Sequence, residues 1–414
     1  MASSALFQRA TEGEDKPACR GVPRLCPVCD GRDGVSVFEN RMVPCAGYDF
    51  STPILRCTAC DAAYSGSALE ASDLHRYYST LSKYDTLRSP ADVSAIDRER
   101  TELATAFLSP YIASFEGILD VGCSSGVLLH ALRALGVKRV QGIDPAADAP
   151  ATAKALFDIP VSQAQAESYG DYGSFGLVCL MAVLEHLLDP GRLLREIGGQ
   201  MRPGTHLLIE VPDAGAFDRP GDRREIEPFG EFSNEHINFF SISDIRRLGR
   251  SAGFEVEHWK TVRLDGGGPD LFVLLRRTAD FHELPPADTH SHTSRLDSRD
   301  SLPNYVARSK RAMEEVERRI EESCRGPVLI YGAGNHTGRL LAQSPSLSRA
   351  QVLAVFDRNP HLRGESIGGH PILPPDCLRD FPDFPVIIST LNARREIRAA
   401  LTAATNQPVI QLYD

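Results

Sequence analysis

The sequence lacks the features that would point to a membrane or to a nucleic acid. No run of about 18 apolar residues is present, and the start has no apolar core of signal-peptide length. Lys and Arg number 45 against 55 Asp and Glu, a net charge of −10, whereas nucleic-acid backbones are bound by basic surfaces. We therefore expect a cytoplasmic protein with no membrane or nucleic-acid partner. Residues 1–20 are expected to be a disordered leader.

The length and patterning predict several domains. A chain of 414 residues accommodates two to three domains of about 100–200 residues each. Strand-like and helix-like stretches alternate over 86–282, which is typical of a Rossmann-like α/β sheet. A polar, Pro- and Ser-rich stretch at 283–304 predicts a linker. Residues 305–414 repeat the strand, glycine turn and helix pattern, so we expect a second, smaller Rossmann-like domain.

The cysteines predict a metal site in the segment before residue 86. Four of the ten cysteines form two C-x2-C pairs, "CPVC" and "CTAC", with 27 residues between the pairs. Four thiolates suit a structural zinc ion, and a module as short as 21–85 gains folding free energy from metal. The alternative is two unrelated reduced pairs. A catalytic zinc is not expected, because four thiolates leave no open position. The predicted ligands are Cys26, Cys29, Cys57 and Cys60.

A glycine turn after an apolar strand predicts a nucleotide-type cofactor. The stretch "ILDVGCSSG" lacks the G-x-G-x-x-G of dinucleotide folds, and Asp120 stands where a pyrophosphate would be repelled. That acid suits the cationic amino-acid part of S-adenosylmethionine (SAM). Gly122 and Gly126 allow close backbone approach, and Asp144 ends the next strand, where an acid can accept both ribose hydroxyls. An NAD-binding or vestigial domain is the alternative.

Longer stretches resemble the class I SAM-dependent methyltransferases. They are "ILDVGCSSG", "GIDP" and "MAVLEHLLDPGRLLREIGGQMRPGTHLLIEVPD", which includes that family's fourth strand, the loop after it and the fifth strand. The resemblance implies SAM as cofactor, with Asp120 near the methionine amine. It implies a cofactor pocket lined by Gly122, Gly126, Asp144, Ala166, Glu167 and Met181.

The chain more narrowly resembles the three-domain, zinc-containing nucleotide-sugar C-methyltransferases over nearly its full length. The two C-x2-C pairs, "LEHLLDP", "EHINFFS" and "DRNPHLRGESIGGHPILPP" carry this resemblance. It implies a nucleotide-linked keto-deoxysugar as substrate, with an enolate that attacks the SAM methyl group. An imidazole is a suitable base at neutral pH, so His236 is the predicted base. His186 and Glu235 are expected to orient the sugar, stabilise the enolate oxygen or tune His236, and Tyr78 and Tyr84 to form a lid.

Departures from that family leave other interpretations open. The C-terminal loop reads "YGAGNHTG" without the lysine common in the family, and "DGGGPD" stands before a late strand. The acceptor can then be a different sugar, or the enzyme an O- or N-methyltransferase in such a pathway. A non-enzymatic scaffold is the third interpretation. "EHINFFS" can also cap the following helix through Ser241, and the tyrosines can be packing residues. The C-terminal glycines can bind the substrate nucleotide or only pack.

Overall fold

The computed structural model describes most of the chain. No helix among the described residues has the length and apolarity needed to cross a membrane. Tyr84 and most of the predicted leader lie outside the described residues. The described ranges are 18–81, 89–219, 227–264, 267–279, 292–391, 394–404 and 407–413.

The regular elements fall into an N-terminal group, a central group and a C-terminal group. The strands are β1 (Cys19–Arg20), β2 (Val22–Pro23), β3 (Gly34–Asn40), β4 (Tyr48–Asp49), β5 (Thr52–Cys57), β6 (Ala63–Ser65), β7 (Ser67–Ala68), β8 (Ile118–Val121), β9 (Val140–Asp144), β10 (Val161–Gln163), β11 (Leu177–Met181), β12 (His206–Pro212), β13 (Asn238–Phe239), β14 (Phe254–Arg263), β15 (Pro269–Arg277), β16 (Val328–Tyr331), β17 (Val352–Phe356), β18 (Ser366–Ile367), β19 (His370–Leu373), β20 (Val386–Ile388) and β21 (Val409–Gln411). The helices are α1 (Ala71–Leu81), α2 (Ala95–Leu108), α3 (Val127–Ala134), α4 (Ala149–Phe157), α5 (Pro190–Gln200), α6 (Ile242–Ser251), α7 (His292–Ser323), α8 (Asn335–Gln343), α9 (Pro345–Ala350) and α10 (Arg394–Ala404).

The central sheet has seven strands in the order β10-β9-β8-β11-β12-β15-β14. The strands from β10 to β12 are parallel, while β15 runs antiparallel to both β12 and β14. All four residues of β8 are buried, as expected for an apolar run in a parallel strand covered on both faces. The predicted Rossmann-like α/β fold is confirmed, with a mixed sheet. Its parallel core brings the carboxyl ends of β8, β9 and β11 side by side.

Local sequence fixes the helices that follow the "LEHLLDP" and "EHINFFS" stretches. Asp189 accepts a hydrogen bond from the Arg192 amide at 2.8 Å and begins α5, with Pro190 in its first position. Ser241 and Asp244 form a capping box at the start of α6. Ser241 therefore does cap a helix, but this role does not involve His236, which lies five residues earlier.

The motif "EHINFFS" is built into the sheet of the N-terminal group. Strand β13, from the middle of that motif, pairs antiparallel with β6 and gives a four-stranded sheet of order β13-β6-β5-β3. Two further pairs, β1 with β4 and β2 with β7, complete this region. The N-terminal strands and the central sheet thus meet at the residues expected to hold the acceptor.

The C-terminal residues form a six-stranded sheet of order β18-β19-β17-β16-β20-β21, parallel except for β18. Helix α7 precedes it and begins at His292, so the prediction of a linker over 283–304 was wrong for residues 292–304. The polar composition of 292–304 hid the burial of Leu302, which packs in one cluster with Tyr305, Phe217 and Phe232. This packing holds the helix despite Pro303 within it.

Candidate functional site

The glycine turn between β8 and α3 requires left-handed backbone. Gly122 has φ +73 and Gly126 has φ +77, a region that glycine enters without steric cost. A Cβ on Gly122 would come within 2.8 Å of Val183 Cγ2, which belongs to the turn after β11. Ser124, with φ +50, is also left-handed. The turn is therefore tightly folded against the neighbouring strand end.

Asp144 holds this turn in place through its own carboxylate. One oxygen accepts from the Ser124 amide at 2.8 Å, and the other accepts from the Ala146 amide at 2.9 Å. Burial raises the pKa of Asp144, and these two amide bonds oppose the rise. Because each carboxylate oxygen has a second lone pair, a ribose hydroxyl can still be accepted at the same group.

Asp120 is buried with an unused hydrogen-bonding atom. Its Oδ1 has no hydrogen-bond partner within the described ranges, and its side chain is almost fully buried. Burial, together with the charge of Asp144, raises the pKa of Asp120 to about 8. A cationic group placed beside this carboxylate would restore its ionised form. This environment fits the predicted role near the methionine amine of SAM.

The residues predicted near adenine lie after β10. Ala166 is buried and Glu167 is exposed in a single 3-10 turn, Ala166–Ser168, and Tyr172 Oη donates to the Ala166 carbonyl at 2.6 Å. Met181 is half-buried at the end of β11. His75 of α1 lies with Nδ1 at 2.6 Å from Gln165 Nε2. Helix α1 therefore reaches this cofactor loop, a contact that the sequence did not reveal.

The structure brings His186, Glu235 and His236 together. The rings of His186 and His236 lie 5.1 Å apart, and His186 Nδ1 is 2.9 Å from the Glu235 carbonyl oxygen. The Ile237 amide donates to the Glu185 carbonyl at 2.9 Å, which ties the turn after β11 to the 234–239 segment. These are the two loops that the sequence assigned to the acceptor.

Helix α1 places two adjacent tyrosines beside His186 and Glu235. The Tyr78 ring lies 6.1 Å from that of His186, in an edge-on arrangement. Tyr77, which the sequence analysis did not select, is buried, and its Oη donates to Glu235 Oε1 at 2.9 Å. Burial, followed by the charge of Glu235, raises the pKa of Tyr77 well above its usual range. The phenol therefore remains a hydrogen-bond donor at any physiological pH.

Glu185 is a further site residue to which the sequence analysis gave no role. It is 1% exposed, and neither carboxylate oxygen has a hydrogen-bond partner among the residues described. Burial raises the pKa of Glu185 to about 7, although His186 Nε2 lies 3.8 Å from its Oε1. Its place in the "LEH" stretch was visible in the sequence, but its burial depends on the tertiary fold.

His236 presents a free lone pair to the same place. Its Nδ1 is buried and has no hydrogen-bond partner in the described part of the chain. Burial, together with the neighbouring His186, lowers the pKa of His236 to about 3. The imidazole is therefore neutral at pH 7.

Behind Glu185, two more carboxyl groups share one cation. Arg100 of α2 donates from Nε to Glu210 Oε1 at 3.1 Å and lies 3.8 Å from Asp270. All three acids are buried. Burial, together with Glu210, raises the pKa of Asp270 well above its usual range. A proton shared between Asp270 and Glu210 would satisfy both, which leaves Glu185 as the one of these three acids with no hydrogen-bond partner among the described residues.

Arg24, two residues before the first cysteine pair, clamps the acceptor loops. Its guanidinium donates to the carbonyl oxygens of Ile237 at 2.9 Å and Leu188 at 3.1 Å. It also donates to Asn238 Oδ1 at 2.9 Å, and the Asn238 amide donates to the Leu184 and Leu187 carbonyl oxygens. The N-terminal group is therefore part of the support of the candidate site.

The four cysteines of the two C-x2-C pairs converge. Their sulfur atoms all lie within 4.8 Å of one another, with Cys26 3.5 Å from Cys60 and Cys29 3.6 Å from Cys57. A tetrahedral zinc with bonds of about 2.3 Å separates its sulfurs by about 3.8 Å. The four thiols therefore fit a structural zinc ion.

The second glycine turn, between β16 and α8, repeats the clamp of the first. Gly332 has φ +106, and Asp357 accepts from the Ala333 and Asn359 amides, each at 2.8 Å. His336, the second residue of α8, is buried, with Nε2 2.7 Å from Tyr413 Oη. This side chain is therefore packed inside.

Comparison with known families decides the class of enzyme. Residues 95–259 match a family model described as a methyltransferase domain. The chain carries a class I SAM-dependent methyltransferase domain. This range covers the glycine turn, Asp144 and both acceptor loops, so the predicted SAM-dependent methyltransferase activity is confirmed and a scaffold without activity is not supported. SAM is the methyl donor.

Curated relatives of the methyltransferase are distant. A ubiquinone biosynthesis O-methyltransferase of Aromatoleum aromaticum is 26% identical over 196 residues, which cover 44% of this chain and 78% of the relative. One from Aeromonas salmonicida is 28% identical over 150 residues, 34% of this chain and 63% of the relative. Among solved structures, the 1,6-didemethyltoxoflavin-N1-methyltransferase of Burkholderia thailandensis matches with 18% identity and a TM-score of 0.39 over 53% of this chain and 96% of its own.

Proposed function

We propose that the enzyme transfers the SAM methyl group to a carbon beside a ketone in a nucleotide-linked deoxysugar. The buried, unpartnered atoms of Glu185 and His236, in one cluster with His186, are the observation that carries this proposal. Such a carbon must lose a proton before it can attack a methyl group, and the proton needs an acceptor held away from water. The glycine turn and Asp120 are proposed to hold SAM, and Val183, two residues before Glu185, lies against this turn.

His236 is the proposed proton acceptor, through Nδ1. Its neutral state at pH 7 leaves the lone pair available, but the lowered pKa of His236 also makes it a weaker base than a free imidazole, so proton transfer needs a charged partner. The imidazolium that forms is then stabilised by the carboxylate of Glu185. One oxygen of Glu185 and one ring nitrogen each of His186 and His236 lie within 4.8 Å of one another. Glu235 is proposed to orient the acceptor, with Tyr77 holding it in place. Tyr78 is proposed to cover the acceptor from the side of His186.

The two flanking regions are proposed to support this reaction. We propose that Cys26, Cys29, Cys57 and Cys60 hold a structural zinc. The zinc would fix the position of Arg24, whose hydrogen bonds hold the acceptor loops. The C-terminal sheet is proposed to form a separate domain that helps to bind the substrate nucleotide. Its glycine turn, clamped by Asp357 as Asp144 clamps the first, supports this assignment.

Methylation of a hydroxyl group is the second candidate. Distant relatives are named ubiquinone biosynthesis O-methyltransferases, and the same buried base could remove a proton from a hydroxyl. Transfer from SAM with a 13C-labelled methyl group separates the two candidates. We would offer a panel of TDP-4-keto-6-deoxysugars and, separately, catechols and other phenols. A product methyl with the carbon chemical shift of a C–CH3 group supports the first candidate, whereas an O–CH3 shift on a phenol replaces it with the second.

A further inference from the structure

Glu185, His186 and His236 converge at the candidate acceptor site, and several of their polar atoms have no hydrogen-bond partner. The ligand atoms of Glu185, His186 and His236 lie within 4.8 Å of one another. Both Glu185 oxygens and His236 Nδ1 are buried without hydrogen-bond partners among the described residues. Buried polar atoms in proteins are nearly always satisfied, so an unfilled cluster of acceptors indicates a missing cation or donor.

The orientation of His186 is the one that a metal ligand needs. Its Nδ1 lies 2.9 Å from the Glu235 carbonyl oxygen, which can only accept, so Nδ1 carries the hydrogen. Nε2 then carries the lone pair, and this atom lies 3.8 Å from Glu185 Oε1. Metal-binding histidines typically donate their other ring nitrogen to a carbonyl or carboxylate in this way.

We propose that Glu185, His186 and His236 bind one divalent transition-metal ion. Two imidazoles and one carboxylate suit Zn²⁺, Co²⁺, Ni²⁺ or Fe²⁺ better than Mg²⁺ or Ca²⁺, which prefer oxygen ligands. Metal–ligand bonds of about 2.0–2.2 Å need ligand atoms about 3–4 Å apart, a small contraction of the cluster. Three ligands leave coordination positions open, unlike the four-cysteine cluster.

Binding of this ion has a consequence for the proposed reaction. The ion takes the His236 Nδ1 lone pair that is proposed to accept the substrate proton. A bound transition metal is therefore expected to inhibit methyl transfer. This consequence rests on the proposed function, whereas the binding itself does not.

Co²⁺ titration of the full-length protein tests the binding directly. The protein is first given one equivalent of Zn²⁺ for its cysteines, and visible absorption is then followed as Co²⁺ is added. The expected result is one further equivalent bound, with weak d–d bands and no thiolate charge-transfer band. Loss of an outer partner of a metal ligand costs about 10–100-fold in affinity, and loss of a ligand itself costs at least as much. Glu185→Gln and His236→Asn should therefore each weaken Co²⁺ binding at least about tenfold.

His130→Asn is the matched control, because His130 lies exposed on α3 and stacks on Phe157. It should bind Co²⁺ like the wild type. Binding of S-adenosylhomocysteine by each variant reports that the fold is intact. Absence of the additional Co²⁺ equivalent in the wild type would overturn the proposal, as would binding that both site variants retain at full strength. Neither result depends on a substrate, so failure here is separate from failure of the proposed methyl acceptor.

Discussion

Replacing Glu185 with glutamine should stabilise the enzyme above neutral pH and not below pH 4.5. Burial raises the pKa of Glu185 from its ordinary 4.5 to about 7. The ionised carboxylate is thus penalised in the folded state. That penalty is absent below pH 4.5, grows between pH 4.5 and 7, and is complete above pH 7. The difference corresponds to about 3 kcal/mol of unfolding free energy.

The glutamine variant carries no such charge, so its unfolding free energy should exceed that of the wild type by an amount that grows with pH. Burying the amide adds an offset that does not change with pH, so the pH-dependent part is the quantity to compare. Urea denaturation followed by the fluorescence of Trp259, the single tryptophan, reports on the central sheet that contains β14. A difference between variant and wild type that stays constant from pH 4.5 to 8 would refute the burial of an unpartnered carboxylate.

Four further variants or treatments address the rest of the site. His236→Asn should keep SAM binding, measured by calorimetry, and lower turnover by about a hundredfold; near-normal turnover would remove it as base. Tyr77→Phe should lower kcat about tenfold with unchanged SAM affinity in steady-state assays, since it loses a hydrogen bond to a charged group; an unchanged kcat contradicts this. Asn238→Ala should lose about 1–3 kcal/mol in urea denaturation, and a neutral effect would deny its bridging role. Chelation should release one zinc, counted by elemental analysis, and lower the melting temperature; release of no zinc would contradict a metal at the cysteines.

The sequence predicted those features that depend on neighbours along the chain. Local patterns predicted the glycine turn, the acid at the end of β9 and the buried strands. Glycines that adopt positive φ and apolar runs can be recognised within a few neighbouring residues. The C-x2-C pairs likewise placed four sulfurs in one cluster. The class of cofactor followed from Asp120 standing where a phosphate would be repelled.

Features that depend on contacts between distant segments were missed. Arg24 reaches Ile237 and Leu188, and Tyr77 reaches Glu235, over separations of more than 150 residues. No spacing in the sequence reveals such pairs. Residues 292–304 of α7 were mistaken for linker because their polar composition concealed Leu302, which packs in one cluster with Phe217 and Phe232. Glu185 was passed over because an acid next to a histidine is common, and only its burial without a partner distinguishes it.

Proton exchange in D2O is the measurement that tests the central claim most directly. The enzyme is incubated with each TDP-4-keto-6-deoxysugar and with S-adenosylhomocysteine in place of SAM, and the sugar is analysed by mass spectrometry. The buried base predicts deuterium uptake at a carbon beside the ketone with the wild type, and greatly reduced uptake with His236→Asn. Absence of uptake with every sugar would contradict enolate formation, and the search would then turn to hydroxyl acceptors.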